Sequence, residues 1–409
     1  MRILQLSPQF PYPTDEGGKI GIANIYMNFS RLGADVTFFT FEEPGSPIRQ
    51  EHKAEAEKYG KLVLFPHSTR NTKARIIKSF LTDTSIYLKK HNNRSIEEFF
   101  DKFIKENKFD IIHADHTGMM PLALYVQSIT GLPLGLRLHN VEYMIWKRYG
   151  EKLNLFNPLK LYINRQASIL RLAEKNLISR ADICFSVSVT DMERAEKLNP
   201  KAKVITAIAG VSEGDWQPDP EMVRNPYELI HATVYNWIHN IDAIKWFIDN
   251  VMPEVNRLLP ESRLKLLGRN APAWLGDYRN IGVDPVGYVD SVHPYLNRAN
   301  IYIAPLFVGS GIRIKILEAM AMELPVIATP VSAEGIYATE KDGLFIVDNA
   351  KEFADKIIFL AENYEYARTL GKKAREFVLN NFTWEKSVSI MYDEYNKLSG
   401  NKKNPSFRD

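Results

Sequence analysis

Short apolar runs alternate with amphipathic stretches along nearly the whole chain, and this alternation limits the fold more than any other feature. The first run, residues 3–6, ends at Ser7-Pro8, and the second, residues 36–41, is rich in β-branched and aromatic side chains. Between them, apolar residues recur at helical spacing until Gly33. Strands separated by helices predict parallel sheets that are covered on both faces. The other predicted strands are residues 61–65, 110–114, 134–138, 182–187, 203–207, 229–233, 263–267, 300–304, 325–328 and 344–347.

The length of 409 residues and one break in this pattern predict two domains. The break contains Gly210, Gly214 and three prolines with little periodicity, which is typical of a linker. We therefore expect two Rossmann-like, doubly wound α/β domains, with ligands bound at the carboxyl ends of the strands. The predicted parts are an N-terminal domain (1–208), a linker (209–226), a C-terminal domain (227–381), a terminal helix (382–400) and a disordered tail (401–409).

The charge distribution separates the two halves of the chain, although the total charge is small. The 52 Lys+Arg and 49 Asp+Glu give a net charge of +3, which is too low to argue for nucleic-acid binding. Residues 1–205 carry 30 basic and 22 acidic side chains, a net of +8, whereas residues 206–409 carry 22 and 27, a net of −5. We therefore expect the two halves to have different partners.

Cys184 is the one cysteine of the sequence, which excludes a disulfide framework and a cysteine-based zinc site and fits a reducing compartment. The apolar stretch at the N-terminus is too short for a signal peptide, and no window approaches the roughly 18 apolar residues of a transmembrane helix. A cytoplasmic protein is expected, and peripheral attachment to the inner face of a membrane stays open.

A loop with two glycines after the third predicted strand of the second half carries the strongest chemical signal. Gly309 and Gly311 have no Cβ, and a helix is predicted to begin near Ile312. Free backbone N–H groups at such a helix N-terminus bind phosphate or sugar oxygens. Arg313 and Lys315 add positive charge, so this loop is the first candidate for an anion site.

Glu318 lies in the most apolar part of the same predicted helix, between Leu317 and Ala319. A carboxylate there needs partners, which paired ribose or sugar hydroxyls would supply. An internal pair with Arg313 explains the same residue equally well. A dinucleotide site is not favoured, because the loop lacks the third glycine of G-x-G-x-x-G.

Residues 309–321, followed by residues 323–329 and 334–336, resemble the donor-site signature of retaining family-4 glycosyltransferases of the GT-B fold. The resemblance extends over most of the chain. It implies two Rossmann-like domains facing across a cleft, with the acceptor on the N-terminal domain, the donor on the C-terminal domain and a terminal helix that crosses back. Flanking residues that also fit are Pro305, Leu306, Gly343 and Leu344.

The resemblance assigns roles to single residues of this loop. Glu318 matches the glutamate that binds the nucleotide ribose, and Gly311 and Ile312 match backbone groups that face the donor sugar and phosphate. The glutamate that usually contacts the donor sugar is replaced by Ser310, which has no charge. This departure leaves the identity of the donor open.

A second departure concerns the diphosphate. The family often places an Arg and a Lys after the first strand of the C-terminal domain, and those positions hold Thr233 and His239 here. Stabilisation of the leaving group is therefore expected to shift to Arg313 first, or else to Lys315, Arg269 or His239. Pairing of Arg313 with a neighbouring acid is the alternative.

Two N-terminal loops resemble the rest of the site. Gly17 and Gly18 open the first helix and match the family's loop near the donor phosphate and acceptor, although a plain strand-to-helix turn explains them too. His139, after the predicted strand 134–138, resembles the histidine that reaches the donor sugar. The cluster of His113, Asp115 and His116 after the preceding strand is weak evidence for a metal, and acceptor contact or polar capping is favoured.

The resemblance implies transfer of a sugar from a nucleotide-diphosphate-sugar donor to a hydroxyl of a glycan or lipid-linked acceptor, in cell-surface polysaccharide or glycolipid synthesis. It also implies retention, with the leaving phosphate acting as the base, and a reaction that needs neither a metal nor a cofactor. Positioning and electrostatic stabilisation would supply the catalysis. A sugar-nucleotide epimerase of the same fold and a catalytically degenerate nucleotide-sugar-binding module remain alternatives.

Two basic stretches of the N-terminal half are candidates for acceptor or membrane binding. Residues 69–108 carry ten Lys+Arg and five acids, and residues 147–180 carry eight and two. Interleaved apolar residues would suit an anionic membrane or a lipid-linked diphosphate. An ordinary solvated helix face is an equally good explanation.

Overall fold

The protein consists of two compact units. A computed structural model describes residues 1–14, 17–82, 84–154, 156–235, 238–309 and 311–400, so that Ser310 and the predicted tail 401–409 lie outside the described residues. The first unit comprises Met1–Ile208 together with Trp384–Asp409, and the second comprises Ala209–Thr383. Among the described residues, no helix combines the length and apolar character needed to cross a membrane.

The first unit is built on a seven-stranded sheet whose neighbouring strands are all parallel. The strand order is β3-β2-β1-β4-β5-β6-β7, so the chain reverses its direction of growth between β1 and β4. All seven strands coincide with predicted apolar runs. They are β1 (Arg2–Leu6), β2 (Asp35–Glu42), β3 (Lys61–Pro66), β4 (Ile111–Asp115), β5 (Leu134–Leu138), β6 (Ile183–Ser186) and β7 (Val204–Thr206).

Helices cover this sheet, and several begin at a side chain that accepts a backbone N–H bond, as Asn93 and Ser188 do. The first core is apolar and includes the fully buried Phe39, Phe100 and Leu136. The helices are α1 (Gly17–Arg31), α2 (Gln50–Glu57), α3 (Lys73–Leu81), α4 (Ile86–Lys89), α5 (Arg94–Glu106), α6 (Met120–Thr130), α7 (Glu142–Lys152), α8 (Pro158–Ile178) and α9 (Val189–Leu198), with a 3-10 turn at Thr117–Met119.

The second unit has a six-stranded parallel sheet in the order β10-β9-β8-β11-β12-β13. Five of its strands match predicted runs, but β10 was not predicted. Pro285 and Gly287 hide it in the sequence, and proline is tolerated there because β10 is an edge strand. The strands are β8 (Glu228–Ala232), β9 (Arg263–Leu267), β10 (Val283–Gly287), β11 (Ile301–Ala304), β12 (Val326–Ala328) and β13 (Leu344–Ile346).

The helices of the second unit surround a core that includes Phe247, Leu266, Ile303 and Phe353. They are α10 (Ile238–Asn250), α11 (Met252–Leu258), α12 (His293–Arg298), α13 (Ile314–Ala321), α14 (Ala350–Glu362) and α15 (Tyr364–Asn381), with 3-10 segments at Glu213–Asp215, Ala273–Ile281 and Glu340–Asp342. Residues 209–226, predicted as the linker, pack within this unit. The Arg224 guanidinium donates to the carbonyl oxygens of Leu296, Ala299 and Met322.

The last helix, α16 (Trp384–Leu398), belongs to the first unit. Its Tyr395 is fully buried, and the hydroxyl lies 2.6 Å from Nδ1 of His113 on β4. Gly135 on β5 leaves room for that tyrosine, because a Cβ at this position would lie 2.1 Å from the Tyr395 hydroxyl. The C-terminal helix α16 thus forms part of the core of the N-terminal unit.

Both sheets reverse their order at one point, between β1 and β4 in the first unit and between β8 and β11 in the second. Ligands of open α/β sheets bind outside the carboxyl ends of the strands at such a point. The loops after β4 and β11 are therefore the places where this fold holds its functional side chains. The predicted α/β class with two doubly wound sheets is confirmed.

Candidate functional site

The loop between β11 and α13 brings the main candidate residues together. Gly309 and Gly311 adopt φ values of 155° and 79°, and a Cβ on Gly309 would lie 1.9 Å from the Arg313 guanidinium. Only glycine therefore allows Arg313 to pack against the loop backbone. Arg313 is the N-cap of α13, which begins at Ile314, two residues after the predicted start near Ile312.

The first turn of α13 offers free N–H groups at the end of the sheet. The carbonyl oxygen of Arg313 accepts from Ile316, so the N–H groups of Ile314 and Lys315 precede the intrahelical ladder. The N-cap residue, Arg313, makes no side-chain capping hydrogen bond to the start of this helix. An anion next to Arg313 would find both the guanidinium and the positive end of the helix dipole.

Glu318 lies one turn into α13, and its side chain is only 4% exposed. Its Oε2 pairs with Nζ of Lys315 at 2.8 Å, whereas the alternative weighed from the sequence was an internal pair with Arg313. Burial raises the pKa of Glu318, and the Lys315 ammonium partly offsets that effect. A buried carboxylate beside a half-exposed lysine can accept hydrogen bonds from ligand hydroxyls.

The loop after β8 takes a different form from the Arg/Lys arrangement of the resembled family. Asn240 donates to the Thr233 hydroxyl at 2.8 Å and to the Val234 carbonyl at 2.7 Å, which ties the loop to α10. His239 is half-buried beside Asn240. The Arg269 guanidinium, after β9, lies 4.6 Å from the ring centroid of Tyr288. These two loops adjoin because β8 and β9 are paired.

Four residues of the second unit that lie at or support this site were not predicted from the sequence: Trp216, His293, Thr329 and Ser332. His293 begins α12, stacks on Trp216 at 4.8 Å and lies close enough to lower the pKa of Glu318 electrostatically. Thr329 and Ser332 are both buried and bond to the backbone of Leu306, which fixes the start of the glycine loop. Sequence periodicity does not reveal these contacts, because the two residues of each contact lie more than 20 positions apart in the sequence.

In the first unit, Asp115 organises a buried polar cluster at the ends of β4 and β5. Its Oδ1 accepts from Nη1 of Arg137 at 3.0 Å and lies 2.9 Å from Nε2 of His139, while Oδ2 accepts from Gln5 at 3.2 Å. Burial alone would raise the pKa of Asp115, but Arg137 and His139 hold it well below its usual range. Asp115 is thus a charged carboxylate whose partners Gln5, Arg137 and His139 all belong to the first unit.

His139 is held on its other side by His116. The two imidazoles stack with centroids 3.5 Å apart and planes at 12°. His116 has a φ of 101°, a strained value for a residue other than glycine. Burial and the Arg137 charge lower the pKa of His139 to about 4, and burial with His139 lowers the pKa of His116 well below its usual range. Both rings are neutral at pH 7.

This cluster also bears on the metal question. Ligand atoms of Asp115, His116 and His139 lie within 4.8 Å of one another. The rings are nearly parallel, so their in-plane lone pairs do not converge on one point, and Arg137 already contacts the carboxylate. His113, grouped with this cluster in the sequence, is instead turned into the core beside Tyr395. His113 shares a face of β4 with Asp115, two positions further on, but it is not among the three groups whose ligand atoms lie together.

The two N-terminal glycines lie in the first turn of α1. A Cβ on Gly17 would meet no atom within 4 Å, and one on Gly18 would lie 3.3 Å from the Gln9 amide. One turn later, a Cβ on Gly21 would lie 2.6 Å from Arg137. Gly21 was not predicted, and it is the glycine that brings α1 close to the Asp115 cluster.

Residues 229–363 match the family model "Glycosyl transferases group 1". An uncharacterized 44.6 kDa protein in the cps region of Klebsiella pneumoniae is 21% identical over 419 aligned residues, which cover 96% of this chain and 99% of that protein.

Two solved structures share the fold over nearly the whole chain. Sucrose-phosphate synthase from Thermosynechococcus elongatus superposes with a TM-score of 0.71 at 16% identity, covering 98% of this chain and 100% of that one. HepE of Anabaena, solved in complex with UDP, superposes with a TM-score of 0.65 at 14% identity, covering 97% and 100%.

The two parallel sheets and the similarity to these structures show that the chain has the GT-B fold of glycosyltransferases. Within that fold, the segment from β8 to α14 is the part of the chain that matches the glycosyl transferases group 1 family model.

Proposed function

We propose that this chain is a retaining, family-4 glycosyltransferase that moves a sugar from a nucleotide-diphosphate-sugar donor to a hydroxyl of a glycan or lipid-linked acceptor. The observation that carries the proposal is the buried Glu318 one turn beyond a glycine loop, at the point where the second sheet reverses its order. Paired ribose hydroxyls would satisfy this carboxylate, and the start of α13 would receive the diphosphate. HepE, of the same fold, was crystallised with UDP, which supports such a donor.

The chemistry of the proposed reaction needs no protein nucleophile. Attack and departure occur on the same face of the sugar, and the leaving phosphate takes the proton of the acceptor hydroxyl. Arg313 and the first N–H groups of α13 stabilise the charge that develops on the diphosphate. His239 and Arg269 are the further donor-side candidates. Since fixed protein charges perform this task, the proposed mechanism uses neither a metal nor a cofactor.

His139 is proposed to contact the donor sugar as a neutral imidazole. With its pKa lowered to about 4, the ring does not carry a proton to donate at pH 7 as an acid. It acts instead as a fixed hydrogen-bonding group, oriented by Asp115 and by the stacked His116. Gly17 and Gly18 are proposed to border the donor phosphate, and Gly311 and Ile312 to present backbone groups to it. The same role is proposed for Ser310, outside the described residues.

Replacement of Glu318 by Gln tests the donor assignment. The amide keeps the size of the side chain but loses the charge that accepts two hydroxyl hydrogen bonds, which is worth about 1.5–3 kcal/mol. We expect the Kd for UDP, measured by titration calorimetry, to rise roughly 10- to 150-fold. Glu362→Gln, on the exposed surface of α14, is the matched control and should leave the Kd unchanged. Unchanged UDP binding by Glu318→Gln would remove the basis of the proposal.

A catalytically degenerate nucleotide-sugar-binding module is the second candidate. Thr233, held by Asn240 where a phosphate-binding arginine is usual in the resembled family, favours it. Donor hydrolysis, followed with a panel of nucleotide sugars, separates the two candidates. Binding of a nucleotide sugar without release of the nucleotide, also in the presence of glycan acceptors, would favour the module.

We also propose that the enzyme works in the cytoplasm, at the inner face of the membrane, in the assembly of a cell-surface polysaccharide or glycolipid. The basic first half of the chain supports this, because a lipid-linked diphosphate and an anionic membrane surface both attract positive charge.

A further inference from the structure

Helix α3 buries a polar side chain against the protein and exposes its apolar side chains to solvent. The one buried residue of this helix is Ser79, which is 4% exposed, whereas Ile77 is 60% and Leu81 is 75% exposed. Ile76 and Phe80 are exposed as well. A helix that packs on a core places its apolar side chains inward. The apolar side of α3 therefore faces away from the first unit.

More exposed apolar side chains lie just before α8 and within its first turns, and α8 is the helix that contacts α3. Phe156 is 91% exposed and Leu161 is 70% exposed. The two helices are tied together, because the Ser79 hydroxyl lies 2.8 Å from that of Tyr162 and Arg165 donates to the Phe80 carbonyl at 2.6 Å. The six side chains of what we call the α3 face are Ile76, Ile77, Phe80, Leu81, Phe156 and Leu161.

The sequence around the α3 face is mainly basic, and Asp83 and Glu174 are the first acidic residues beyond it. Residues 69–82 contain four Lys+Arg and no Asp or Glu, and residues 156–173 contain three and none. Lys73 and Lys78 are exposed on α3 itself. A second copy of this chain would bring the same positive charge against the face, which disfavours self-association through it. An anionic surface with an apolar interior complements both the charges and the exposed side chains.

We infer that the α3 face docks on the anionic lipid surface of a membrane. The apolar side chains enter the boundary between head groups and acyl chains, and Lys73 and Lys78 lie among the anionic head groups. Nine residues are too few to span a bilayer, so α3 lies in the interface. This contact would hold the first unit at the surface that carries a lipid-linked acceptor. This functional role of the contact rests on the proposed function.

Vesicle sedimentation with the full chain tests the apolar part of the inference. The wild type should pellet with vesicles of phosphatidylcholine and phosphatidylglycerol at low salt, and not with phosphatidylcholine alone. The double substitution Ile77→Ser with Leu81→Ser should weaken this partitioning by roughly tenfold or more, since two large apolar side chains lose their burial. Ile129→Ser with Val223→Ser, at apolar positions 41% and 82% exposed elsewhere, is the matched control and should bind as the wild type does.

The charge part is tested with Lys73→Gln and Lys78→Gln. Each lost lysine should lower partitioning about fivefold at low salt, and the difference should shrink as salt is added. Lys102→Gln with Lys105→Gln, on the exposed side of α5, removes the same charge away from the face and should have a smaller effect.

Three results would overturn the inference: no binding of the wild type to phosphatidylglycerol vesicles, equal binding of the wild type and the serine variant, or equal binding to vesicles without phosphatidylglycerol. A dimer in light scattering that the serine substitutions dissolve would show that a second copy covers the face, and would also overturn it. Vesicle binding needs no turnover and UDP binding needs no vesicles, so this inference and the proposed function fail separately.

Discussion

At the scale of single residues, the buried charges of both units have partners within their own unit. Glu318 pairs with Lys315, and Asp115 pairs with Arg137 and His139. A buried charge without a partner is costly, so these contacts determine which side chains keep their charge. They also set the protonation of the two groups. The Lys315 ammonium partly offsets the rise that burial causes in the pKa of Glu318, and His139 stays neutral at pH 7.

His116 is predicted to be a positioning residue for His139. His116→Gly removes the stacked ring and suits the φ of 101°, so the relief of strain offsets the greater freedom of the unfolded chain. We expect a free energy of unfolding within about 1 kcal/mol of the wild type, and a donor turnover roughly tenfold lower. Urea titration and nucleotide release measure the two quantities.

His116→Phe is the companion variant, because it keeps a flat ring over His139 without titrating. It should retain most of the turnover, and its pH profile should match that of the wild type. Equal turnover of the glycine and phenylalanine variants would show that the stacking has no part in positioning His139.

At the scale of elements, α7 and α8 are joined by a buried pair of carboxyl groups. Glu174 on α8 accepts the backbone N–H groups of Glu142 and Tyr143 at the start of α7, at 2.9 and 3.1 Å. Burial and the neighbouring carboxyl raise the pKa of Glu142 to about 8, and burial raises the pKa of Glu174 to about 7. The connection between the two helices is therefore sensitive to pH.

The Glu142 carboxyl should contribute a loss of stability of the first unit as the pH rises. Glu142 binds its proton more tightly in the folded chain, with a pKa of about 8, than at its usual value of 4.5. Unfolding then releases the proton of this group between these values, so the contribution of Glu142 to the free energy of unfolding decreases as pH rises through that window, whereas the buried histidines of lowered pKa contribute with the opposite sign. Glu142→Gln should remove roughly 1–3 kcal/mol of this decrease, as measured by urea unfolding at several pH values. Glu106→Gln, at the exposed end of α5, should leave the slope unchanged.

At the scale of the whole molecule, the two ends of the chain share one core. Gly135 on β5 and Tyr395 on α16 lie 260 positions apart in the sequence and touch in the first unit. The hydroxyl of Tyr395 also binds His113 on β4. Helix α16 is thus required for the first sheet to be covered on that side.

Gly135→Ala should prevent α16 from packing. The new Cβ would lie 2.1–2.6 Å from atoms of Tyr395, and such overpacking costs about 1–3 kcal/mol or more. We expect the melting temperature of the full chain to fall, and Tyr395→Leu in the same chain to restore part of the loss. Gly276→Ala, where a Cβ meets no atom within 4 Å, is the control. Additive effects of the Gly135 and Tyr395 substitutions would contradict the contact.

The sequence was sufficient for the features that depend on local spacing. It indicated all seven strands of the first sheet and five of the six in the second, because a buried parallel strand is a short apolar run between helices. It also placed the glycine loop and Glu318 at the end of a strand. The edge strand β10 was missed, because its proline and glycine resemble a loop.

By itself, then, the sequence determined the α/β class, the two doubly wound sheets and the loop with Gly309, Gly311 and Glu318, since periodicity and strand ends are local properties. Only the tertiary structure decided the partners of these residues: Lys315 for Glu318, the stacking of His116 on His139, and Tyr395 for His113. The last two contacts join side chains on different elements, and the first depends on which way a guanidinium and an ammonium turn at one helix end. None of these contacts produces a repeating pattern in the sequence, because each depends on how side chains pack in the folded chain.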